Sequence, residues 1–146
     1  MIRVATPDDF SAIEAHAKEF WSHSYFDMPY RDGSALPYIE LCLSHELLLV
    51  ADIDGEVVGF AAGCKAPLMG DSEITHGTEL AWWVAPEHRG GRLGIQLLKG
   101  MEDAAREAGC SYWSMVYMES SMPETVREIY LKLGYRLNET TYGKRL

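Results

Sequence analysis

The sequence predicts a mixed α/β (α+β) fold: one central, mostly antiparallel sheet flanked by helices. Three observations predict it. Two apolar, β-rich runs, LLLVADI and EVVGFAAGC, flank an Asp54-Gly55 pair, the mark of an antiparallel hairpin. A third such run, TELAWWV, leads through a proline and a glycine-rich turn into an apolar-periodic helix. The first half of the chain sets strands in succession and the second alternates strand with helix. A single sheet with helices laid on it accommodates both.

The elements follow in order. MIRVA is a short strand. Thr6 caps the next helix, Pro7 suits its first position and Asp9 stands where a capping-box acid belongs, so the helix runs to about Phe20. Residues 21–36, WSHSYFDMPYRDGSAL, read as an aromatic-rich loop, and a second helix spans Pro37 to about Ser44. After the hairpin, APLMGDSEITHG reads as a loop into the strand TELAWWV. Leu93, Leu97, Leu98, Met101, Ala104, Ala105 and Ala108 share one face of the following helix, with Gly109 as its stop. Next come a strand, SYWSMVYM, and a helix from Pro123 to Leu133 ended by Gly134. The tail YRLNETTYGKRL predicts a final antiparallel pair around Asn138 and Glu139. The expected order is β-α-α-β-β-β-α-β-α-β.

Its 146 residues predict one domain, 1–146, with a real core. No run approaches the roughly 18 apolar residues that span a bilayer, and MIRVATPDDF lacks the layout of a signal peptide. A cytoplasmic protein with no membrane partner is expected. Cys42, Cys64 and Cys110 are odd in number and unpaired in spacing, which argues against a disulfide framework. The five histidines show no metal-ligand spacing with one another or with cysteine, so no metal is expected. A net charge of −9 repels nucleic acid. It suits an amine partner, and it equally suits solubility alone.

The chemistry concentrates in VAPEHRGGRLGIQLL. A glycine turn that opens a helix leaves backbone N–H groups unpaired beside the positive end of the helix dipole, which makes an anion site. Arg89 and Arg92 add charge, so a phosphate or pyrophosphate is the natural guest. The same glycines also suit a tight strand–helix turn that binds nothing. Neither Gly-x-x-x-x-Gly-Lys-Ser/Thr nor Gly-x-Gly-x-x-Gly occurs.

This stretch resembles the acyl-CoA-binding motif of the GNAT superfamily of N-acetyltransferases, Arg/Gln-x-x-Gly-x-Gly/Ala. Arg89 takes the first position and Gly94 the last, while Arg92 stands in place of the middle glycine, after Gly90 and Gly91. IRVATPDDFSAI resembles the family's first strand and helix, LLLVADIDGEVVGFAAG its second and third strands, and REIYLKLGYR its late helix. Nearly the whole chain is covered. Pro123 stands where many members carry an asparagine that contacts the coenzyme.

The resemblance implies a GNAT-like fold and direct transfer of acetyl from acetyl-CoA to a primary amine of a small molecule or peptide, in a ternary complex. It implies pyrophosphate held by Gly90, Gly91, Arg92, Leu93 and Gly94, and a thioester oxygen held by a backbone N–H near Val84 or Ala85. Tyr130 matches the general-acid tyrosine, though a helix aromatic can also be plain core. Glu79 is the first candidate base that deprotonates the amine, with a solvated strand-end acid as the plain alternative. Glu119, His76 and a water chain remain open for the same role. Alternation places Glu79, Ala81, Trp83 and Ala85 on one face unless a bulge intervenes. Trp21, Tyr25, Phe26 and Tyr30, with Asp27 and Asp32, are candidates for the acceptor pocket or for simple loop packing. Trp82 and Trp83 read as sheet residues. The Arg92 and Pro123 departures leave a rival from another class, a non-catalytic CoA-binding regulatory module. A transferase acting on aminoacyl-tRNA is disfavoured by the acidic balance. Members of the superfamily often dimerise, so a homodimer is allowed, with no interface legible.

Overall fold

The computed structural model describes residues 1–146. Five strands form one sheet in the order β1 (Ile2–Val4), β2 (Leu48–Ile53), β3 (Glu56–Leu68), β4 (Asp71–Val84) and β5 (Cys110–Ser114). The first three pairings are antiparallel and β4 pairs with β5 in parallel. The helices are α1 (Phe10–Trp21), α2 (Leu36–Ser44), α3 (Leu93–Glu107) and α4 (Pro123–Lys132). No helix is long and apolar enough to cross a membrane.

β2 explains the layering. Its continuous apolar run is buried on both faces, as a central strand requires. Leu48 and Val50 join Ile13 of α1 and Ile39 of α2 on one side. Leu49 and Ala51 join Leu97, Met101 and Ala105 of α3 on the other. The Thr6–Asp9 cap forms as a single 3-10 turn ahead of α1, with the Thr6 amide donating to the Asp9 carboxylate at 2.8 Å. Arg3 ties this corner together, reaching Asp9 at 2.8 Å and Asp52 of β2 at 2.9 Å.

Three expectations about element limits change. APLMGDSEITHG is not a loop: β3 and β4 run through it as a long hairpin turning at Met69-Gly70. Pro67 lies opposite Thr75 inside that ladder, a breaker by residue type tolerated where the pairing is about to end. β5 stops at Ser114 rather than reaching Met118, because β4 has by then turned away. The fold class stands, but residues 135–146 form no strand pair. Beyond Tyr135, which is half-buried, Leu137 and Tyr142 are 84% and 94% exposed, so a strand there would bury no face.

β4 turns away because of a bulge. Ala62 pairs with Ala81 and Gly63 with Glu79, so Leu80 is the extra residue. On the other edge the parallel ladder with β5 ends at Thr78–Ser114. Beyond it the strands part, and the opening is the cleft described below. Below the parting, Trp113 of β5 lies flat across two strands. A Cβ on Gly63 would meet its ring at 2.5 Å, and one on Gly77 at 2.7 Å. These two glycines are small because an indole occupies their space.

Gly77→Ala should therefore dislodge Trp113 and lower stability by about 1–3 kcal/mol. Urea unfolding read with near-ultraviolet circular dichroism checks it, and an unchanged midpoint and aromatic signal would show that Trp113 is not held this way.

Candidate active site

After β4 the chain makes a 3-10 turn, Pro86–His88, and crosses to α3 through Gly90 and Gly91. The left-handed residue is Gly90, with φ +82°. Arg92 sits at φ −88° and ψ −9°, an ordinary right-handed conformation, so the position that differs from the motif needs no glycine. The amides of Gly90, Gly91, Arg92, Leu93, Gly94 and Ile95 donate to no backbone acceptor, while the Arg92 carbonyl already accepts from Gln96 at 2.9 Å. A row of free N–H groups thus stands at the positive end of a 15-residue helix. Arg92 and Arg89 pair with no carboxylate.

Arg89 is turned to a different use from the loop. Its Nε donates to the Val84 carbonyl at 2.7 Å and its guanidinium lies 4.2 Å from the centre of the Trp83 ring. Gly94 packs against β4: Trp82 Nε1 donates to its carbonyl at 3.1 Å, and a Cβ there would meet the indole at 3.3 Å.

The two expected thioester donors separate. The Ala85 amide donates to the Val58 carbonyl at 2.9 Å and is committed to the sheet. Backbone groups alternate in direction along a strand, so the amide of Val84 faces the open edge, as its carbonyl on Arg89 also does.

Glu79 does not share a face with Ala81 and Trp83. Its β3 partner, Gly63, faces opposite to Ala62, the partner of Ala81, so the bulge at Leu80 has turned Glu79 to the other side. There it is only 5% exposed, and Oε2 accepts from the Val116 amide at 2.8 Å. Tyr130 of α4 donates its hydroxyl to the Val116 carbonyl at 2.7 Å and lies over Trp82, ring centres 6.2 Å apart. The backbone of one residue beyond the end of β5 thus engages both side chains. The cleft between them has a volume of about 60 Å³ and apolar walls from Phe20, Leu80, Trp82, Met118 and Val126.

Burial pushes the Glu79 carboxyl up to about 7, against the smaller opposing pull of the Val116 N–H. Burial also raises the Tyr130 phenol well above its usual range, with the Glu79 charge adding to the effect. At neutral pH the first group titrates and the second stays protonated.

The alternative bases lie elsewhere. His76 is engaged with Ser114 Oγ at 2.7 Å in the paired part of β4 and β5. Glu119 is exposed on the turn before α4. The aromatic loop forms its own stack rather than the cleft wall: Trp21 lies parallel to Phe26 at 5.2 Å, and Tyr30 donates to Glu14 at 2.6 Å. Asp32 pairs with Lys18 at 2.8 Å, and Asp27 lies on the same loop. Phe20 and the carbonyl of His23, which accepts from Ser120 Oγ at 2.7 Å, bring that side to the cleft instead. Pro123 occupies the first turn of α4, after Met122 at φ +45°. Sequence reasoning missed Val116, Leu80 and Phe20. Only Phe20 had a signal, as the last apolar residue of the first helix.

The model of the acetyltransferase (GNAT) family matches residues 10–135. An acetyltransferase of Yersinia pestis (strain Pestoides F) is 29% identical over 148 residues, covering 99% of this chain and 94% of its own. Among solved structures, a ribosomal-protein-alanine N-acetyltransferase from Brucella melitensis superposes with a TM-score of 0.74 at 20% identity, covering 100% of this chain and 99% of its own. AAC(6')-Iy, solved with the bisubstrate analogue CoA-S-monomethyl-acetylneamine, superposes with a TM-score of 0.77 at 18% identity, covering 100% and 97%. At these identities the structures speak for the fold.

The raised Glu79 carboxyl links folding to pH. The folded state keeps this proton longer than the unfolded chain, whose value is near 4.5. The stabilisation is complete below that value and is lost as pH rises through about 7. Between about pH 5 and pH 8 the protein should lose on the order of 3 kcal/mol from this group. Glu79→Gln should flatten that decline. Urea midpoints at several pH values test it, and parallel curves for the two proteins would mean the carboxyl is not buried as described.

Proposed function

The chain belongs to the acetyltransferase (GNAT) family, and we propose that it transfers acetyl directly from acetyl-CoA to the primary amine of a small molecule or peptide. The observation that carries this reading is the bracket at Val116, which holds a titrating carboxyl and a protonated phenol in one cleft opening between β4 and β5.

In this reading the free amides of residues 90–95 and the helix dipole take the pyrophosphate of acetyl-CoA, and the Arg92 side chain adds charge from the rim. The residues suit that group, because six consecutive donors need acceptors and the chain supplies none. The Val84 amide, on the open edge of β4, donates to the thioester oxygen as it gains negative charge. Glu79 accepts a proton from the incoming ammonium, since an amine attacks only when neutral. A base near 7 is matched to that task. Tyr130 gives its proton to the departing sulfur. Arg89 acts indirectly, holding the backbone at Val84 through its carbonyl, one peptide beyond the donor amide.

Free CoA thiol should appear from acetyl-CoA only when an amine is present. Tyr130→Phe should lower kcat by about 100-fold while acetyl-CoA affinity stays nearly constant. Thiol-release kinetics with calorimetric titration separate the two quantities. Full turnover in the variant, with chemistry rate-limiting, would remove Tyr130 from the reaction. Tight acetyl-CoA binding without turnover over a broad amine panel would favour the regulatory module.

Arg92→Gly bears on the loop. Since position 92 uses no glycine-only backbone, acetyl-CoA affinity should be unchanged or fall by less than about 10-fold, the loss of one exposed charge. A large gain would show that the arginine obstructs the site.

A further inference from the structure

We propose that the acceptor is a monocation: a primary amine backed by apolar atoms and not by a second charge. This rests on the reading of Glu79 as the group that receives the amine, and it concerns what surrounds that carboxyl.

Glu79 is the one charged residue lining the cleft. One of its oxygens is already committed to the Val116 amide. The other polar groups there are also occupied: Tyr130 on the Val116 carbonyl and the Trp82 indole on Gly94. Ser121 supplies one further hydroxyl. Phe20, Leu80, Met118 and Val126 complete the walls. The site can therefore neutralise one positive charge. A second ammonium three carbons from the first would leave water for a wall of methyl and aryl groups, with no carboxylate to meet it.

The test uses two isosteric amines, n-butylamine and 1,3-diaminopropane, which differ by a methyl exchanged for an ammonium. With the full chain and acetyl-CoA, kcat/KM should favour butylamine by about 30-fold, the penalty of one unpartnered buried charge. Met118→Asp places a carboxylate on a loop-borne part of the wall and should shrink or invert the preference; its thermal melt confirms that it is folded. Equal or greater use of the diamine by the unaltered protein overturns the proposal and leaves acetyl transfer standing. If neither amine turns over, saturation-transfer NMR of the same two amines decides. Butylamine bound in preference to the diamine upholds the specificity and removes the catalysis. No preference, or no binding, overturns both.

Discussion

The extra residue in β4 is the constraint on which the site depends. A regular ladder would keep β4 and β5 paired and every peptide group between them satisfied. The bulge at Leu80 instead ends the pairing and reverses the facing of Glu79. Opening a sheet in its interior leaves backbone donors and acceptors that must find partners, since an orphaned buried group is costly. Here they find side chains. Val116 has lost its strand neighbour and takes a carboxyl on its N–H and a phenol on its carbonyl. The groups that repair the tear are the ones proposed to react.

This arrangement sets the acidity of Glu79. The carboxyl lies in apolar surroundings with a single N–H donor, too few to hold the charged form at its ordinary value. The contrast is Asp9, also buried, which has Arg3 and the Thr6 amide and is held far below the usual carboxylate range, chiefly by the Arg3 hydrogen bonds. Two acids of similar exposed area are thus driven in opposite directions, Asp9 by its partners and Glu79 by burial. One fastens a corner of the fold and the other titrates near neutrality.

Legibility in the sequence followed the range of the interactions. The glycine turn, the hairpin at Asp54-Gly55 and the helix of Leu97 and Met101 are local and were readable. The family motif carried Arg89, Gly94 and Tyr130 to one region without saying what Arg89 touches. The bulge was not readable: nothing in ELAWWVA marks Leu80 as surplus, because the irregularity exists only relative to β3. Val116 was invisible for a related reason, since it acts through its peptide and any residue provides one. The long β3–β4 hairpin was hidden by Pro67, Asp71 and Ser72, whose turn preference the sheet overrides, while Gly70 keeps its own in the turn. The tail erred the other way. Its strand-like composition had no apolar face to bury.

The free amides between Gly90 and Ile95 also bear on how an anion arrives. The chain carries a net charge of −9, so at low ionic strength its overall field opposes any phosphate-bearing molecule at a distance. At about 0.15 M salt that field fades within about 8 Å, whereas hydrogen bonds at the loop act at contact and are scarcely screened. Approach and capture therefore respond oppositely to salt. Added electrolyte quickens the encounter by muting the repulsion and leaves the grip of the loop largely intact. Association would then speed up with ionic strength, the reverse of the usual behaviour of phosphate-binding proteins built on broad basic surfaces.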